Sequence, residues 1–395
     1  MGKASREPIV APPRGFRDIL PTEAREVGVI ERVLSDTFAA YGYSPIVPPM
    51  IEYAADQPSQ ERLIRFLDTD GSLVTLRPDL TTAVARLVAQ GYRDVNGALR
   101  LSYFAPIFRE RPAMTADERE IVQAGIELIG VAGALADAEV LALLAESLER
   151  CGLRLSGTTI QVGHVGVVER LFAGLREDAR TSVMQLVRDG DLVGAFRRAR
   201  GADMAKEDVE AARRTLGIAG RGIEQLEAAE ALELRHVIHL ARERWPGDVE
   251  LWGFPNIGLV PALPYYTGIV FEALHPDVGV IASGGRYDLL IGEFGAPRPA
   301  TGFAIDVLRL HRALFAEGWR PTAARPLLAL QPGADERVTM RCAAALTAAG
   351  LAVAIGEVAE AAGVEVVRAE VIDERCVRLD GNAISIDDLA RRLAP

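Results

Sequence analysis

The segment Val122–Ile129 is the most constraining feature of this sequence, because polar and small residues recur in it at every second position. A β-strand places alternate side chains on opposite faces of a sheet, so Gln123, Gly125 and Glu127 share one face. An amide and a carboxylate then flank the gap that the glycine leaves. Such a face is suited to binding an amine or an imidazole.

The remaining apolar patterns predict an α+β chain of two domains. With 395 residues the chain is too long for one ordinary core. We expect a large domain over residues 1–320, with an almost wholly helical insertion at about 167–245. A small α/β domain is predicted over residues 325–395, where apolar strands alternate with helices.

Local patterns in the large domain predict individual elements. Residues 44–51 are extended, because their prolines are incompatible with both a helix and a central strand. Strands are predicted at Leu73–Leu76, Ala98–Phe104 and Val270–Ala273. The segment Gly302–Glu317 is predicted to be a helix.

Charge and composition disfavour several classes of partner and cofactor. The formal net charge is -11 and the pI is about 5.2, so the surface repels a phosphate backbone. Apolar runs are short and interrupted by charge, which disfavours a membrane span. Three well-separated cysteines fit a reduced cytoplasm, and no metal-ligand spacing is present. We therefore expect a cytoplasmic protein without metal, cofactor, nucleic acid or membrane partner.

Four short motifs combine polar residues with turn or strand signals. The first is a strand that turns into a helix through a proline, with Asp79 at the junction and Thr81 after it. The second joins Arg109 to the strand that carries Gln123 and Glu127. The third motif is a pair of aromatic residues in Pro264-Tyr265-Tyr266. The fourth begins with a double glycine, in Gly284-Gly285-Arg286-Tyr287-Asp288.

The order of these motifs over the first 310 residues resembles the catalytic domain of histidyl-tRNA synthetase. The matching stretches are PRGFRDILP, YGYSPIVPPMIEY, LRPDLT, FRERP with QAGIELIG, PYYTGIVFE, and GGRYD with GFAIDVLRL. The resemblance implies a class II synthetase-like antiparallel sheet flanked by helices, and a dimer built on the first helix and the proline segment. It also implies an intact histidine pocket, formed by Asp79, Thr81, Arg109, Gln123, Glu127, Tyr265 and Tyr266.

The sequence departs from the synthetase pattern where ATP would react. Pro261 stands in place of an arginine and Pro264 in place of an aspartate, and proline supplies neither charge nor an N–H group. Asp306 replaces a glycine at the start of the GxERL helix, and Asp117 and Glu118 replace basic and aromatic groups. Losing one preorganised donor costs roughly 3–4 kcal/mol of transition-state stabilisation, so we expect no catalytic residue and weak or absent ATP binding.

A synthetase-like chain that keeps the histidine pocket but lacks the adenylation chemistry resembles the regulatory subunits of ATP phosphoribosyltransferase. The resemblance implies a non-catalytic chain that binds L-histidine and transmits feedback inhibition to a short catalytic subunit, in a hetero-octamer that contains a self-dimer. The alternative is an enzyme, either a divergent histidyl-tRNA synthetase or a ligase that activates histidine for another acceptor. Arg109 and Arg309 would supply its ATP contacts.

Overall fold

The computed structural model describes residues 11–57, 63–110, 118–154, 157–216, 229–246, 252–256, 259, 265–321, 326–358 and 364–393. The chain forms two compact units. The larger unit comprises Met1–Arg17 and Val29–Trp319, and the smaller comprises Asp18–Gly28 and Arg320–Pro395. Of the sequence predictions, those on Asp117, Pro261 and Pro264 lie outside the described residues.

An eight-stranded sheet forms the centre of the larger unit. Its strands, in spatial order, are β1 (Ser44–Pro45), β5 (Leu99–Phe108), β6 (Glu120–Ile129), β11 (Ala300–Asp306), β10 (Gly279–Arg286), β9 (Ile269–His275), β7 (Thr159–His164) and β8 (Trp252–Pro255). The two outermost pairs are parallel, and every pair between them is antiparallel. The central sheet is therefore mainly antiparallel, as the sequence predicted.

Helices pack against this sheet through regularly spaced apolar residues. They are α1 (Pro21–Ala40), α2 (Thr81–Gly91), α3 (Ala134–Arg150) and α9 (Val307–Ala316). In α1 the fully buried side chains recur every four residues, at Ile30, Leu34 and Phe38. Leu80, Val84 and Val88 form the corresponding stripe at α2, which packs against Leu101 and Tyr103 of β5 and related residues in one core cluster.

A small three-stranded sheet lies beside the proline segment. It consists of β2 (Ile51–Tyr53), β3 (Arg65–Leu67) and β4 (Leu73–Leu76), with β4 in the middle. The buried guanidinium of Arg77, directly after β4, donates hydrogen bonds to three proline carbonyl groups. The acceptors are the oxygens of Pro106 at 2.8 Å, Pro48 at 2.7 Å and Pro49 at 3.2 Å. One buried cation thus satisfies backbone carbonyl groups of the proline segment and of β5.

Five helices are described between β7 and β8, where the sequence predicted a helical insertion. They are α4 (Val165–Leu171), α5 (Glu177–Arg188), α6 (Leu192–Gly201), α7 (Lys206–Leu216) and α8 (Ala229–Arg244). Residues of α4 to α7 share a core cluster of their own, which includes Phe172, Val183 and Phe196. The insertion thus has its own apolar core.

The smaller unit contains a five-stranded mixed sheet. Its spatial order is β13 (Ala352–Ile355), β12 (Leu327–Gln331), β14 (Val366–Val371), β15 (Cys376–Leu379) and β16 (Asn382–Ser385). The first three strands pair in parallel and the last three pair antiparallel. The helices α10 (Glu336–Ala348) and α11 (Ile386–Leu393) contribute Leu346 and Leu389 to its core.

The segment Gly302–Glu317, predicted as one helix, is divided between a strand and a helix. Residues through Asp306 belong to β11, and α9 begins at Val307. The side chain of Asp306 accepts a hydrogen bond from the backbone N–H of Arg309, 3.0 Å away, and so caps the first turn of α9. The cap residue marks the true boundary, because its backbone is still extended.

Candidate functional site

One cavity of about 210 Å³ lies on the face of the central sheet that carries Glu127. All seven residues that the sequence selected as a histidine pocket line it. The complete lining is Asp79, Leu80, Thr81, Arg109, Gln123, Glu127, Tyr265, Tyr266, Glu272, Ser283, Tyr287, Gly302, Phe303 and Ala304. The structure therefore brings together predicted residues that are up to 187 positions apart in the chain, from Asp79 to Tyr266.

The floor of the cavity is formed by small residues aligned across neighbouring strands. In one transverse row, Glu127 is opposite Gly302, which is opposite Gly285. In the next row of the same face, Gly125 is opposite Ala304, which is opposite Ser283. A Cβ atom on Gly302 would lie 1.9 Å from Oε2 of Glu127. Larger side chains at the glycines would collide with Glu127, with the Tyr103 hydroxyl and with the Tyr266 ring, so the glycines let these cavity side chains lie close to the sheet.

Glu127 is the most heavily hydrogen-bonded residue of the site. Its Oε1 accepts from Thr81 Oγ1 at 2.9 Å and from the Tyr103 hydroxyl at 3.3 Å, and its Oε2 accepts from the Tyr287 hydroxyl. The residue is 1% exposed, and burial raises the pKa of its carboxyl from 4.5 to about 7 even though the three hydrogen bonds lower it. At neutral pH this group can accept a proton from, or pair with, an imidazole.

Asp79 and Thr81 occupy the turn between β4 and α2. The carboxylate of Asp79 accepts from the backbone N–H of Thr82 at 2.7 Å and from the Thr82 hydroxyl at 3.1 Å. Asp79 therefore stabilises the first turn of α2 as a capping residue does. Thr81 donates its hydroxyl to Glu127. Residues of this one turn therefore hydrogen-bond to the carboxylates of both Asp79 and Glu127.

Tyr265 and Tyr266 form an aromatic wall. Their ring centroids are 5.0 Å apart, and the ring of Tyr287 meets that of Tyr265 edge to face at 5.9 Å. Burial raises the pKa of both hydroxyl groups, and so do the nearby carboxylates Glu127 and Asp79. Both phenols are therefore neutral hydrogen-bond donors at physiological pH.

Arg109 and Gln123 complete the predicted set. The Nε of Arg109 donates to the carbonyl oxygen of Pro78 at 2.8 Å, which fixes the guanidinium at the edge of the cavity. Within the described residues its terminal nitrogens have no partner, and they are suited to a carboxylate. Gln123 lies opposite Asp306 in the register of β6 and β11.

Glu272 and Ser283 line the cavity but were not selected from the sequence. They are opposite each other on β9 and β10. A signal was available, because Glu272 is the one charged residue in the otherwise apolar strand Ile269–Leu274. The sequence does not show which strands are neighbours, however. The alternation alone therefore could not place Glu272 on the same face of the sheet as Glu127.

Of the two arginines that would contact ATP, Arg309 is engaged within the chain. Arg309 donates from Nη1 to the carbonyl oxygen of Val280 at 3.0 Å, and its Nε lies 3.4 Å from Oδ2 of Asp306. Glu118 forms ion pairs with Arg312 and Arg17. Asp306 therefore acts as a cap and as the partner of Arg309, in addition to being a carboxylate where the synthetase pattern has glycine.

Neither a metal site nor a membrane helix is found in the part of the chain that the structure describes. No group of three or more histidine, cysteine or acidic side chains is arranged to hold a metal ion there. Among the described helices, none is both long and apolar enough to span a membrane.

Comparisons with known proteins agree with the fold and with the order of motifs. A family model described as histidyl-tRNA synthetase matches residues 15–310. A curated protein from Symbiobacterium thermophilum, named ATP phosphoribosyltransferase regulatory subunit, is 38% identical over 371 residues, which cover 87% of this chain and 90% of that protein. A protein of the same name from Moorella thermoacetica is 33% identical over 368 residues, covering 87% of this chain and 91% of that protein.

Solved structures give the same result. A Bacillus halodurans protein described as an ATP phosphoribosyltransferase regulatory subunit/histidyl-tRNA synthetase has a TM-score of 0.79 and 27% identity, covering 93% of this chain and all of that one. Histidyl-tRNA synthetase from Nostoc sp. PCC 7120 has a TM-score of 0.76 at 20% identity, covering 98% of this chain and 99% of that one, which supports the fold alone. The predicted class II synthetase-like α+β fold is confirmed. The chain belongs to the histidyl-tRNA synthetase family, within its branch of ATP phosphoribosyltransferase regulatory subunits.

Proposed function

We propose that this chain is a non-catalytic regulatory subunit that binds L-histidine in the cavity around Glu127. In this role it is required for the activity of a short ATP phosphoribosyltransferase catalytic subunit in the first step of histidine biosynthesis. It also transmits feedback inhibition to that subunit. The observation that carries the proposal is the set of hydrogen bonds that holds Glu127, with a pKa of about 7, inside an aromatic cavity.

The cavity offers a complementary group for each polar part of histidine. Glu127 can bind the imidazole, because its carboxylate faces a cavity walled by Tyr265 and Tyr266. Arg109 can bind the α-carboxylate through its terminal nitrogens. A ligand held by several buried polar groups is discriminated strongly from analogues that lack one of its partners.

Feedback inhibition requires two arrangements of the assembly with different affinities for histidine. A coupling of about 1–3 kcal/mol between histidine and catalysis in the partner is sufficient for useful inhibition. The proposal places the assembly in the cytoplasm, as a hetero-octamer that contains a dimer of this chain. It requires no cofactor and no nucleic acid.

Apolar side chains on the three-stranded sheet and the proline segment support the self-dimer. Val47 is 92% exposed and Leu67 is 70% exposed, and Tyr53 and Leu73 are exposed on the same small sheet. Leu67 is opposite Leu73 in the register, so these two share one face of the small sheet, and exposed apolar residues grouped on one face mark an interaction surface. Leu67→Glu should yield a monomer in a mass measurement, whereas Leu232→Glu, at an exposed leucine of α8, should leave the dimer intact.

The alternative function is histidine activation by an enzyme. Arg109 at the cavity edge favours it, since an activating enzyme needs a cation for phosphate. The pairing of Arg309 with Asp306 argues against it, because that cation is already neutralised. The two functions differ in their requirement for ATP.

Calorimetry and an activity assay test the proposal together. The chain should bind histidine without measurable ATP binding, and co-expression with a short catalytic subunit should give an active complex that histidine inhibits. Glu120→Gln is a matched control for cavity variants, because Glu120 is on the same strand as Glu127 but outside the cavity. Histidine-dependent pyrophosphate exchange by this chain alone would overturn the regulatory assignment.

A further inference from the structure

His164 ends β7 and caps the first turn of α4, at the point where the chain leaves the central sheet for the helical insertion. Its Nδ1 accepts a hydrogen bond from the backbone N–H of Gly166, 3.0 Å away. Helices are usually capped by Ser, Thr, Asp or Asn, whose side-chain oxygens accept hydrogen bonds at neutral pH. An imidazole nitrogen stops being an acceptor when it is protonated, so this cap depends on the neutral ring.

The second ring nitrogen of His164 faces α8. Nε2 lies 3.6 Å from Oε2 of Glu233, and His164 is 6% exposed. Across the ladder of β7 and β9, its neighbour is the apolar Ile269. Because Nδ1 is the acceptor of the cap, the neutral ring carries its proton on Nε2 and presents it to Glu233. One histidine thus contacts both the first turn of α4 and the side of α8.

The imidazole is closely packed against the turn that it caps. A Cβ atom on Gly166 would lie 3.0 Å from Cε1 of His164 and 3.3 Å from Cγ of Glu230. Glu230, on α8, also forms an ion pair with Arg170 of α4. These contacts leave little room for the ring to turn its Nδ1 away from the N–H of Gly166.

Carboxylates on two helices face His164, yet the fold disfavours its protonated form. Burial lowers the pKa of the imidazole below its usual 6.5, although Glu233 and Glu230 of α8 and Asp137 of α3 each raise it. Asp137 is itself paired with Arg286. Since the pKa is lowered by folding, the stabilisation that the neutral ring contributes is complete above pH 6.5 and is lost as the pH falls below it.

We infer that His164 is a proton-sensitive latch between the central sheet and the helical insertion, and that its protonation releases the first turn of α4. The insertion has an apolar core of its own, so α4 to α7 remain packed on one another when this turn opens. The latch lies beside the cavity, because the N–H of Val165 donates to the carbonyl oxygen of Gly268 at 3.0 Å, two residues after Tyr266. It needs no ligand in that cavity to respond to protons.

Hydrogen exchange, measured by mass spectrometry on the full chain, tests the latch. After correction for intrinsic rates, peptides that cover α4 should exchange about two to ten times faster at about pH 5.5 than at about pH 7.5. His164→Asn keeps a side-chain acceptor for the N–H of Gly166 but does not titrate, so its corrected rates should not depend on pH. His239→Asn, at an exposed histidine of α8, should behave like the unaltered chain.

A carboxylate variant and a direct titration complete the test. Glu233→Gln removes a charge that favours the imidazolium, so acid should open α4 of this variant more strongly than α4 of the unaltered chain. An NMR titration of the ring should give a pKa below 6.5.

Three results would overturn the latch. They are a ring pKa at or above 6.5, the same pH dependence of exchange in His164→Asn as in the unaltered chain, and an acid response that Glu233→Gln leaves unchanged. If His164→Asn left α4 unprotected at both pH values, asparagine would have failed as a cap. The ring titration and Glu233→Gln would then decide.

Discussion

The hydroxyl of Tyr287 donates a hydrogen bond to Oε2 of Glu127, although β11 lies between the strands that position these two residues. The bond crosses β11 at Gly302, which is opposite Glu127 on one side and opposite Gly285 on the other. A Cβ atom at this position would lie 1.9 Å from Oε2 of Glu127 and 2.3 Å from the carbonyl oxygen of Ile126. The position of the carboxylate therefore depends on the absence of a side chain at residue 302.

Gly302→Ala is expected to weaken histidine binding at least tenfold and to lower the free energy of unfolding by about 1–3 kcal/mol, because overpacking forces a shift of β11 or of Glu127. Calorimetry and urea unfolding measure the two effects. Gly91→Ala is the control, since nothing lies within 4 Å of a Cβ there. Unchanged binding by Gly302→Ala would show that the cavity tolerates a smaller volume.

The stability of the ligand-free chain should depend on pH through Glu127. Its pKa is 4.5 when unperturbed and about 7 in the fold, so the folded state binds the proton more tightly. The resulting stabilisation is present below pH 4.5 and is lost as the pH rises through about 7. Relative to Glu127→Gln, the unaltered chain should lose roughly 3 kcal/mol over this range, as 1 pKa unit corresponds to about 1.4 kcal/mol. Urea unfolding of both proteins at several pH values checks this, and parallel curves would contradict it.

Arg286 and Asp137 form a buried ion pair that joins the end of β10 to α3. Nε and Nη2 of the arginine lie 2.9 Å from the two carboxylate oxygens, and the aspartate is fully buried. Arg286→Ala should lower the free energy of unfolding by about 3–5 kcal/mol, because it leaves a buried charge unpaired. The double variant with Asp137→Ala should lose less than the sum of the two single losses, and additive losses would rule out direct coupling.

Glu127→Ala and Tyr265→Ala should each abolish inhibition by histidine while the chain still assembles with the catalytic subunit. Glu127 is buried and Tyr265 is half-buried in the larger unit, so their truncation removes ligand contacts while leaving most of the exposed surface unaltered. Mass measurement of the complex and a catalytic assay with and without histidine report the two properties, with Glu120→Ala as control. Full inhibition of both variants would place the feedback site elsewhere, such as at a subunit interface.

Restoring arginine at position 261 should not create adenylation activity. The Arg309 side chain remains paired with Asp306, and a half-buried carboxylate at that position opposes a triphosphate. Pyrophosphate exchange in the presence of histidine is the measurement, with the unaltered chain as the baseline. Histidine-dependent exchange above that baseline would show that the missing arginine was the decisive loss.

Half of the residues that line the cavity were selected from the sequence, one strand face from its own pattern and the others through the resemblance to histidyl-tRNA synthetase. The alternation of Gln123, Gly125 and Glu127 is sufficient to define one face of a strand. The resemblance to histidyl-tRNA synthetase then indicated that motifs far apart in the chain belong to one pocket. Neither source selected Glu272, because the pattern of β9 does not show which strands lie beside it.

Strand boundaries were harder to predict where glycine dominates. The strand β10 continues through Gly284 and Gly285 to Arg286, and β11 begins before Gly302, although glycine has low strand propensity. Pairing with neighbouring strands keeps these residues extended, and close contacts with Phe271, Tyr266 and Glu127 explain why no larger side chain is present. Tertiary context thus overrides local propensity at the floor of the cavity.

The hydrogen bonds from Arg77 to three proline carbonyl groups link the cavity to the surface of the larger unit. Asp79 is two residues from Arg77, and Pro48 is next to the exposed Val47. One planar guanidinium therefore holds the proline segment against the strand end that leads into the turn of Asp79. Val47 and one wall of the cavity are thus joined by a single buried side chain.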